Sequence, residues 1–325
     1  MTSAPLCPLT GEQMRPWVNI IRDWRRKKPC MAPKGGWQLW WSEAGHYGQI
    51  YPRPSPTEVA EFYQLDSYYT HDDEAGALAR PGFADWLRVG IAARLDSGVH
   101  PSAEYWVRRV PKGAVLGLDI GAGNGNLMLE LAPLIERVVG IEPDAEARET
   151  ARAKGLTVLP GTAEALPPEV TAERYDFIVI AHVLEHCLDP EMALRNAAEL
   201  LKPGGILVVE TPNNAALGLR QQGANWFWLD VPRHLNFFTE DSLRAFASRA
   251  GLKVTACEYW GYARQMLEGW LEAQAEIAAC MDGRDAARPA DLARQRRLAW
   301  RLMARTAWAP AAAKYDSVRL ICQRT

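Results

Sequence analysis

His182, Glu185 and His186 stand within one turn of chain, in the run His182-Val183-Leu184-Glu185-His186. Two imidazoles and a carboxylate at that spacing can share a helix face and grip a divalent ion. A further imidazole, His234, follows in Trp228-Leu229-Asp230-Val231-Pro232-Arg233-His234-Leu235-Asn236-Phe237-Phe238-Thr239. Its ordinary pKa near neutrality suits it to take a hydroxyl proton as a general base. Upstream lies Leu118-Asp119-Ile120-Gly121-Ala122-Gly123-Asn124-Gly125. Glycines in that pattern let a chain turn sharply and bring its backbone against a ligand at a helix start. Asn126 stands where a dinucleotide loop would carry its third glycine, so the loop reads GxGxG. Glu142 closes the next apolar run, about 20 residues beyond Gly121, where a carboxylate can accept both hydroxyls of a ribose.

These residues need elements to hold them. Short apolar runs at Val115–Asp119, Arg137–Glu142, Leu156–Leu159, Tyr175–Ile180, Ile206–Glu210, Leu252–Glu258 and Ser317–Gln323 predict strands. Helical segments at Asn126–Leu131, Ala145–Ala153, Glu191–Leu201 and Glu240–Ala250 alternate with them. Strand and helix in alternation predict an α/β domain with a largely parallel sheet. Gly155, Gly204-Gly205 and Gly251 sit where helices should end. Ahead of this pattern, Phe83–Asp96 and Pro101–Val110 read as helices. The first seventy residues are rich in Pro, Trp and Tyr, with little periodicity. We expect an N-terminal extension and helical cap over 1–100 and a catalytic domain over 101–325, with a helical insertion at 262–313 before the last strand.

Composition narrows the classes. Lys+Arg is 37 against Asp+Glu 39, a net charge of −2, which excludes a globally basic nucleic-acid binder. No apolar run approaches the ~20 residues that cross a bilayer, and Met1–Thr10 does not read as a secretory signal, so a cytoplasmic setting is expected. The six cysteines form no CxxC pair and read as reduced thiols. Charge is unevenly distributed, however. Arg15–Lys34 carries seven basic residues and one acid, Asp23, and Arg294, Arg297, Arg301 and Arg305 fall on one helical side. Such a run usually marks a solvated face; the sharper reading is an anionic substrate or partner. Tyr262, Met266, Trp270, Ile277 and Met281 can share another face, read as core or cavity cover.

Gly161-Thr162-Ala163-Glu164, Ala181–Pro190 and Leu201-Lys202-Pro203-Gly204-Gly205 follow the later strands in order. Together with the glycine loop and Glu142, this set resembles the class I S-adenosylmethionine-dependent methyltransferases. The resemblance implies a Rossmann-like seven-stranded sheet whose last strand is antiparallel. It implies that Asp119, Gly121, Gly123 and Gly125 surround the methionine part of S-adenosylmethionine, and that Glu142 holds the ribose. Thr162, Ala163 and Glu164 would border adenine, with Ala181 and His182 closing the floor. Thr211-Pro212-Asn213 and the His234 segment resemble the branch of ubiquinone-biosynthesis O-methyltransferases. In that branch the histidine loop faces the acceptor, which makes His234 the catalytic candidate, and the Tyr68-Tyr69 pair a substrate candidate.

The expected activity is methyl transfer to a small molecule, most simply to oxygen, in secondary or cofactor metabolism. The similarity of His182, Glu185, His186 and His234 to the divalent-metal set of small-RNA 2′-O-methyltransferases leaves a metal site open; simple hydrogen bonding of these side chains is the preferred reading. Nucleic acid is not an expected partner. The alternatives are an RNA-modifying enzyme, suggested by the two basic segments, and a non-catalytic cofactor-binding protein with the same fold.

Overall fold

A computed structural model describes residues 4–26, 28–29, 36–63 and 82–324. The N-terminal segment, unpatterned to the eye, contains the strands β1 (Arg15–Ile20), β2 (Trp37–Ser42) and β3 (Tyr47–Tyr51), besides a two-residue ribbon of Arg22–Asp23 on Lys28–Pro29. Trp37, Leu39 and Ile50 point inward and are buried. Helix α1 (Pro56–Phe62) follows, started by a reciprocal Ser55–Glu58 capping box. Then come α2 (Phe83–Leu95) and α3 (Ala103–Arg109), the latter capped by Ser102.

The alternating pattern then sets in, with β4 (Leu116–Ile120), α4 (Asn126–Leu131), β5 (Arg137–Ile141), α5 (Ala145–Ala153), β6 (Thr157–Leu159) and β7 (Tyr175–Ala181). It continues through α6 (Pro190–Leu200), β8 (Leu201–Pro212), β9 (Asn236–Phe238), α7 (Glu240–Arg249) and β10 (Leu252–Trp260). Two long helices, α8 (Glu268–Met281) and α9 (Pro289–Thr306), precede the last strand, β11 (Ser317–Arg324).

Seven strands build one sheet in the order β10-β11-β8-β7-β4-β5-β6. β4 pairs in parallel with β5 and β7, β7 with β8, while β11 runs antiparallel to both β8 and β10. Every residue of β4 is buried, because helices cover both faces and leave no polar side to the strand. Strand order reverses between β4 and β7, the place where open α/β sheets take ligands at the carboxyl ends of their strands. This is the expected seven-stranded α/β sheet with its last strand antiparallel.

Two details differ from the expectation. Lys202-Pro203-Gly204-Gly205 lies within β8 as an irregularity, where pairing with β7 shifts between Leu201 and Ile206. The segment after His234, read as a loop, contains β9, which completes the N-terminal sheet in the order β1-β2-β3-β9. Among the described residues no helix is long and apolar enough to cross a membrane.

Candidate active site

The candidate residues at the carboxyl ends of these strands form two groups built in different ways. At the first, the chain leaves β4 through Gly121, Gly123 and Gly125, with φ of +81°, +52° and +83°. Gly121 and Ala122 N–H donate to Ile141 O, which pins the loop to the end of β5. A side chain at 121 would meet Val183 Cγ2 at 2.3 Å and one at 125 would meet Leu156 Cδ1 at 2.3 Å. A Cβ at 123 would meet nothing within 4 Å. The first and third glycines therefore serve close packing, while the second leaves open space.

Beside that space Glu142 is buried, with Gly123 N–H donating to its Oε2 and Asp144 N–H to its Oε1, both at 2.9 Å. Burial raises its pKa against those two donors. Asp119 is buried too, and burial together with the Glu142 charge pushes it up to about 7. An open cradle flanked by two acceptor carboxylates fits a polar, hydroxyl-bearing, cationic ligand. Thr162, Ala163 and Glu164 form the turn after β6, where Thr162 Oγ1 accepts from Ala165 N–H. Glu164 Oε1 accepts from Asp189 N–H at 2.7 Å, so its carboxylate braces the start of α6.

At the other end β7 closes with Ala181, and His182 adopts a left-handed backbone at φ +55°. That conformation is costly for a side chain with a Cβ and persists only where its surroundings impose it. Both ring nitrogens are engaged: Nδ1 lies 3.2 Å from Glu185 Oε1 and Nε2 3.1 Å from Glu210 Oε1. Burial would lower the His182 pKa, but the two carboxylates raise it to about 9. Its ring stacks on Trp228 at 5.2 Å. Glu210 also accepts from Trp260 Nε1 and Arg319 Nε, each at 2.7 Å; against burial, Arg319 and His182 hold it down to about 2.

Glu185, His186 and His234 converge, with one ligand atom from each lying within 4.8 Å of the others. His186 Nδ1 sits 2.7 Å from Tyr63 Oη and 3.1 Å from Arg233 O, and His234 Nδ1 sits 2.8 Å from Trp228 O. A carbonyl only accepts, so His234 carries its proton on Nδ1 and keeps a lone pair on Nε2. Burial pushes both imidazoles down to about 4, so they are neutral at pH 7. Glu185 Oε2 is buried without a hydrogen-bond partner among the described residues. Of the four residues considered for a metal, three meet. His182 does not join them, because both its nitrogens face carboxylates.

The N-terminal segment holds this cluster together. Arg233 is fully buried and meets Asp23 through two bonds, at 2.7 and 3.0 Å, and Asp230 through Nη2 at 3.0 Å. Arg25 Nε donates to Asp230 at 2.8 Å. Arg53 donates to the carbonyls of Leu235 and Leu188 and to Asn236 Oδ1. Asn236 Nδ2 in turn donates to Leu184 O and Cys187 O. None of Arg53, Glu210, Arg233 or Asn236 was a candidate from the sequence. Asp23, the lone acid in a basic stretch, was the one visible signal. Tyr68 and Tyr69 lie outside the described residues.

A family profile described as a methyltransferase domain matches residues 108–256. A ubiquinone biosynthesis O-methyltransferase from Cereibacter sphaeroides is 37% identical over 214 residues, 61% of this chain and 82% of the relative. One from Caulobacter vibrioides is 36% identical over 231 residues, 66% of this chain and 87% of the relative. Among solved structures, an N-methyltransferase from Bradyrhizobium japonicum in complex with S-adenosyl-L-homocysteine aligns with 16% identity and a TM-score of 0.42, over 82% of this chain and 97% of that one.

Proposed function

Because the chain belongs to the S-adenosylmethionine-dependent methyltransferase family, we propose that it methylates a hydroxyl oxygen on a small molecule of cofactor metabolism. The oxygen acceptor and the metabolic setting take their support from relatives named as ubiquinone biosynthesis O-methyltransferases. The observation that carries the chemistry is His234, a buried neutral imidazole tethered by one nitrogen to Trp228 O. A cytoplasmic setting belongs to this reading, supported by the free thiols of Cys7, Cys187, Cys257, Cys280 and Cys322.

S-adenosylmethionine supplies an activated methyl on a sulfonium. The protein's work is therefore positioning and the removal of one proton. Gly121, Gly123 and Gly125 bring backbone to the cofactor's methionine end, with Asp119 beneath it. Glu142, held between two backbone donors, presents its remaining lone pairs to the ribose hydroxyls. Thr162, Ala163 and Glu164 border the adenine. Ala181 and His182 form the floor, where the ring of His182 is fixed by Glu185, Glu210 and Trp228. His234 Nε2 accepts the acceptor's hydroxyl proton as the oxygen becomes nucleophilic.

A second reading is favoured by the orphaned Glu185 Oε2. Glu185, His186 and His234 would hold a divalent ion, since carbonyls on the Nδ1 side are the usual outer support of Nε2 ligands. Such an ion would acidify the acceptor hydroxyl as a Lewis acid. One experiment tests both readings: methyl-labelled S-adenosylmethionine offered with a panel of phenols, catechols, alcohols and amines, with and without a chelator. Label in an ether, insensitive to chelator, is expected from the base. Chelator loss restored by Mg²⁺, Mn²⁺ or Zn²⁺ selects the metal. Label entering amines alone would overturn oxygen transfer.

A further inference from the structure

Three charged residues sit side by side on neighbouring strands of the seven-stranded sheet. Antiparallel register sets Arg319 of β11 opposite Glu258 of β10 and opposite Glu210 of β8. Paired residues put their side chains on one face, so the row reads anion, cation, anion. All three are buried, Arg319 completely. Such a row carries a desolvation cost that three apolar side chains would not, so packing alone does not account for it. Glu210 is also in register with Ala181 at the end of β7, and His182 is the next residue.

The contacts lead from the last strand into the candidate site. At the far end, Arg319 Cζ lies 4.5 Å over the Tyr105 ring, whose hydroxyl donates to Glu258 Oε2 at 2.8 Å. Arg319 Nε donates to Glu210 Oε2 at 2.7 Å, and Nη2 lies 2.5 Å from the same oxygen. Turning Glu210 away would leave a buried charge unpaired, so the guanidinium fixes its carboxylate. The other oxygen, Oε1, accepts from Trp260 Nε1 at 2.7 Å and lies 3.1 Å from His182 Nε2. The His182 ring lies nearly parallel to Trp228, at 14° and 5.2 Å between centroids. Trp228 O in turn accepts the Nδ1 proton of His234 at 2.8 Å.

We propose that Arg319 is a positioning residue for methyl transfer: through Glu210 it fixes the His182 ring against Trp228, and so the place of the His234 imidazole. This rests on the proton-acceptor role proposed for His234. Arginine suits the task, since its planar fork holds a carboxylate in one orientation where a lysine ammonium would let it swing. Imidazole and indole then act as a spacer of fixed thickness between the sheet and the base. A displacement of about 1 Å at a reacting group costs up to about 10²-fold in rate, so a tilt of His182 would be felt. A purely structural role, neutralising Glu210 and Glu258, would alter stability and leave the stack alone.

The test combines NMR of the full chain, labelled in its histidine and tryptophan rings, with turnover of the acceptor found among the phenols, catechols and alcohols. Nuclear Overhauser contacts between the His182 and Trp228 rings report the stack. His182→Asn identifies them by their loss, and asparagine tolerates the left-handed backbone there. In Arg319→Met these contacts should vanish, and turnover should fall by about 10²-fold with S-adenosylhomocysteine affinity changed less than about twofold. Arg319→Lys keeps a buried cation and should retain part of both; it decides the matter should Arg319→Met fail to fold. Adding either substitution to His182→Asn should slow turnover no further, because the arginine acts through that ring. Undiminished ring contacts in the folded Arg319 variants overturn the proposal, as do losses that multiply in the double variants. A parent chain that methylates no acceptor overturns the proposed function instead, while the ring contacts still decide whether Arg319 holds the stack.

Discussion

At the end of the site proposed for the cofactor, glycine backbone and the Asp119 and Glu142 carboxylates come from one continuous stretch, Asp119 to Asp144. At the end proposed for the acceptor the site is made of side chains brought from afar: Arg233 meets Asp23 across 210 positions, and Tyr63 meets His186 across 123. The first construction rests on glycine conformation and strand ends, which the sheet itself enforces. The second rests on buried charges that stabilise one another only when every partner is present. The cofactor end should therefore tolerate damage locally, and the acceptor end should fail as a unit.

The sharpest test of that contrast is His234→Ala. Turnover should fall by about 10²–10⁴-fold, the range for a positioned proton acceptor, with cofactor affinity nearly unchanged by calorimetry. Loss of cofactor binding in this variant would join the two ends and break the comparison. Next in size is Asp23→Asn, far from the acceptor in sequence. It leaves the buried Arg233 with Asp230 as its remaining anion, and should lower stability by about 3 kcal/mol in denaturant unfolding. Turnover of the protein that remains folded should fall while cofactor affinity holds. Smallest is Glu142→Ala, which should weaken cofactor binding by about 1.5–3 kcal/mol, the scale of hydrogen bonds to a charged group. At saturating cofactor its turnover should approach that of the parent chain. A persistent turnover defect there would show that Glu142 also serves the acceptor end.

The same contrast explains what could be read from the residues alone. The glycine loop, Glu142 and the seven strands are legible because each depends on neighbours in sequence: a turn that needs φ above zero, an apolar run, a helix cap. Glu210 escaped notice because it ends an ordinary apolar strand, and only the fold brings Arg319 and His182 to it. His182 could be placed after β7 but not assigned its two carboxylate partners. The N-terminal sheet was illegible for a related reason. Prolines and neighbouring tryptophans blur the alternation in β1 and β2, and the strand that completes their sheet belongs to another part of the chain.

That shared sheet also sets an order of assembly. Tyr47 on β3 and Asn236 at the start of β9 are 189 residues apart, yet Tyr47 Oη donates to Asn236 Oδ1 at 2.6 Å. During synthesis β1–β3 must wait, with one edge unpaired, until β9 has emerged from the ribosome. Long-range pairing of this kind slows folding, because a large loop must close before any contact rewards it. An open edge in the interval is a template for pairing with other chains. Removing the first 55 residues would move the hazard to the opposite partner, exposing Asn236–Phe238 as a bare strand and leaving the buried Arg233 without Asp23. Such a truncation should aggregate more readily than the intact chain.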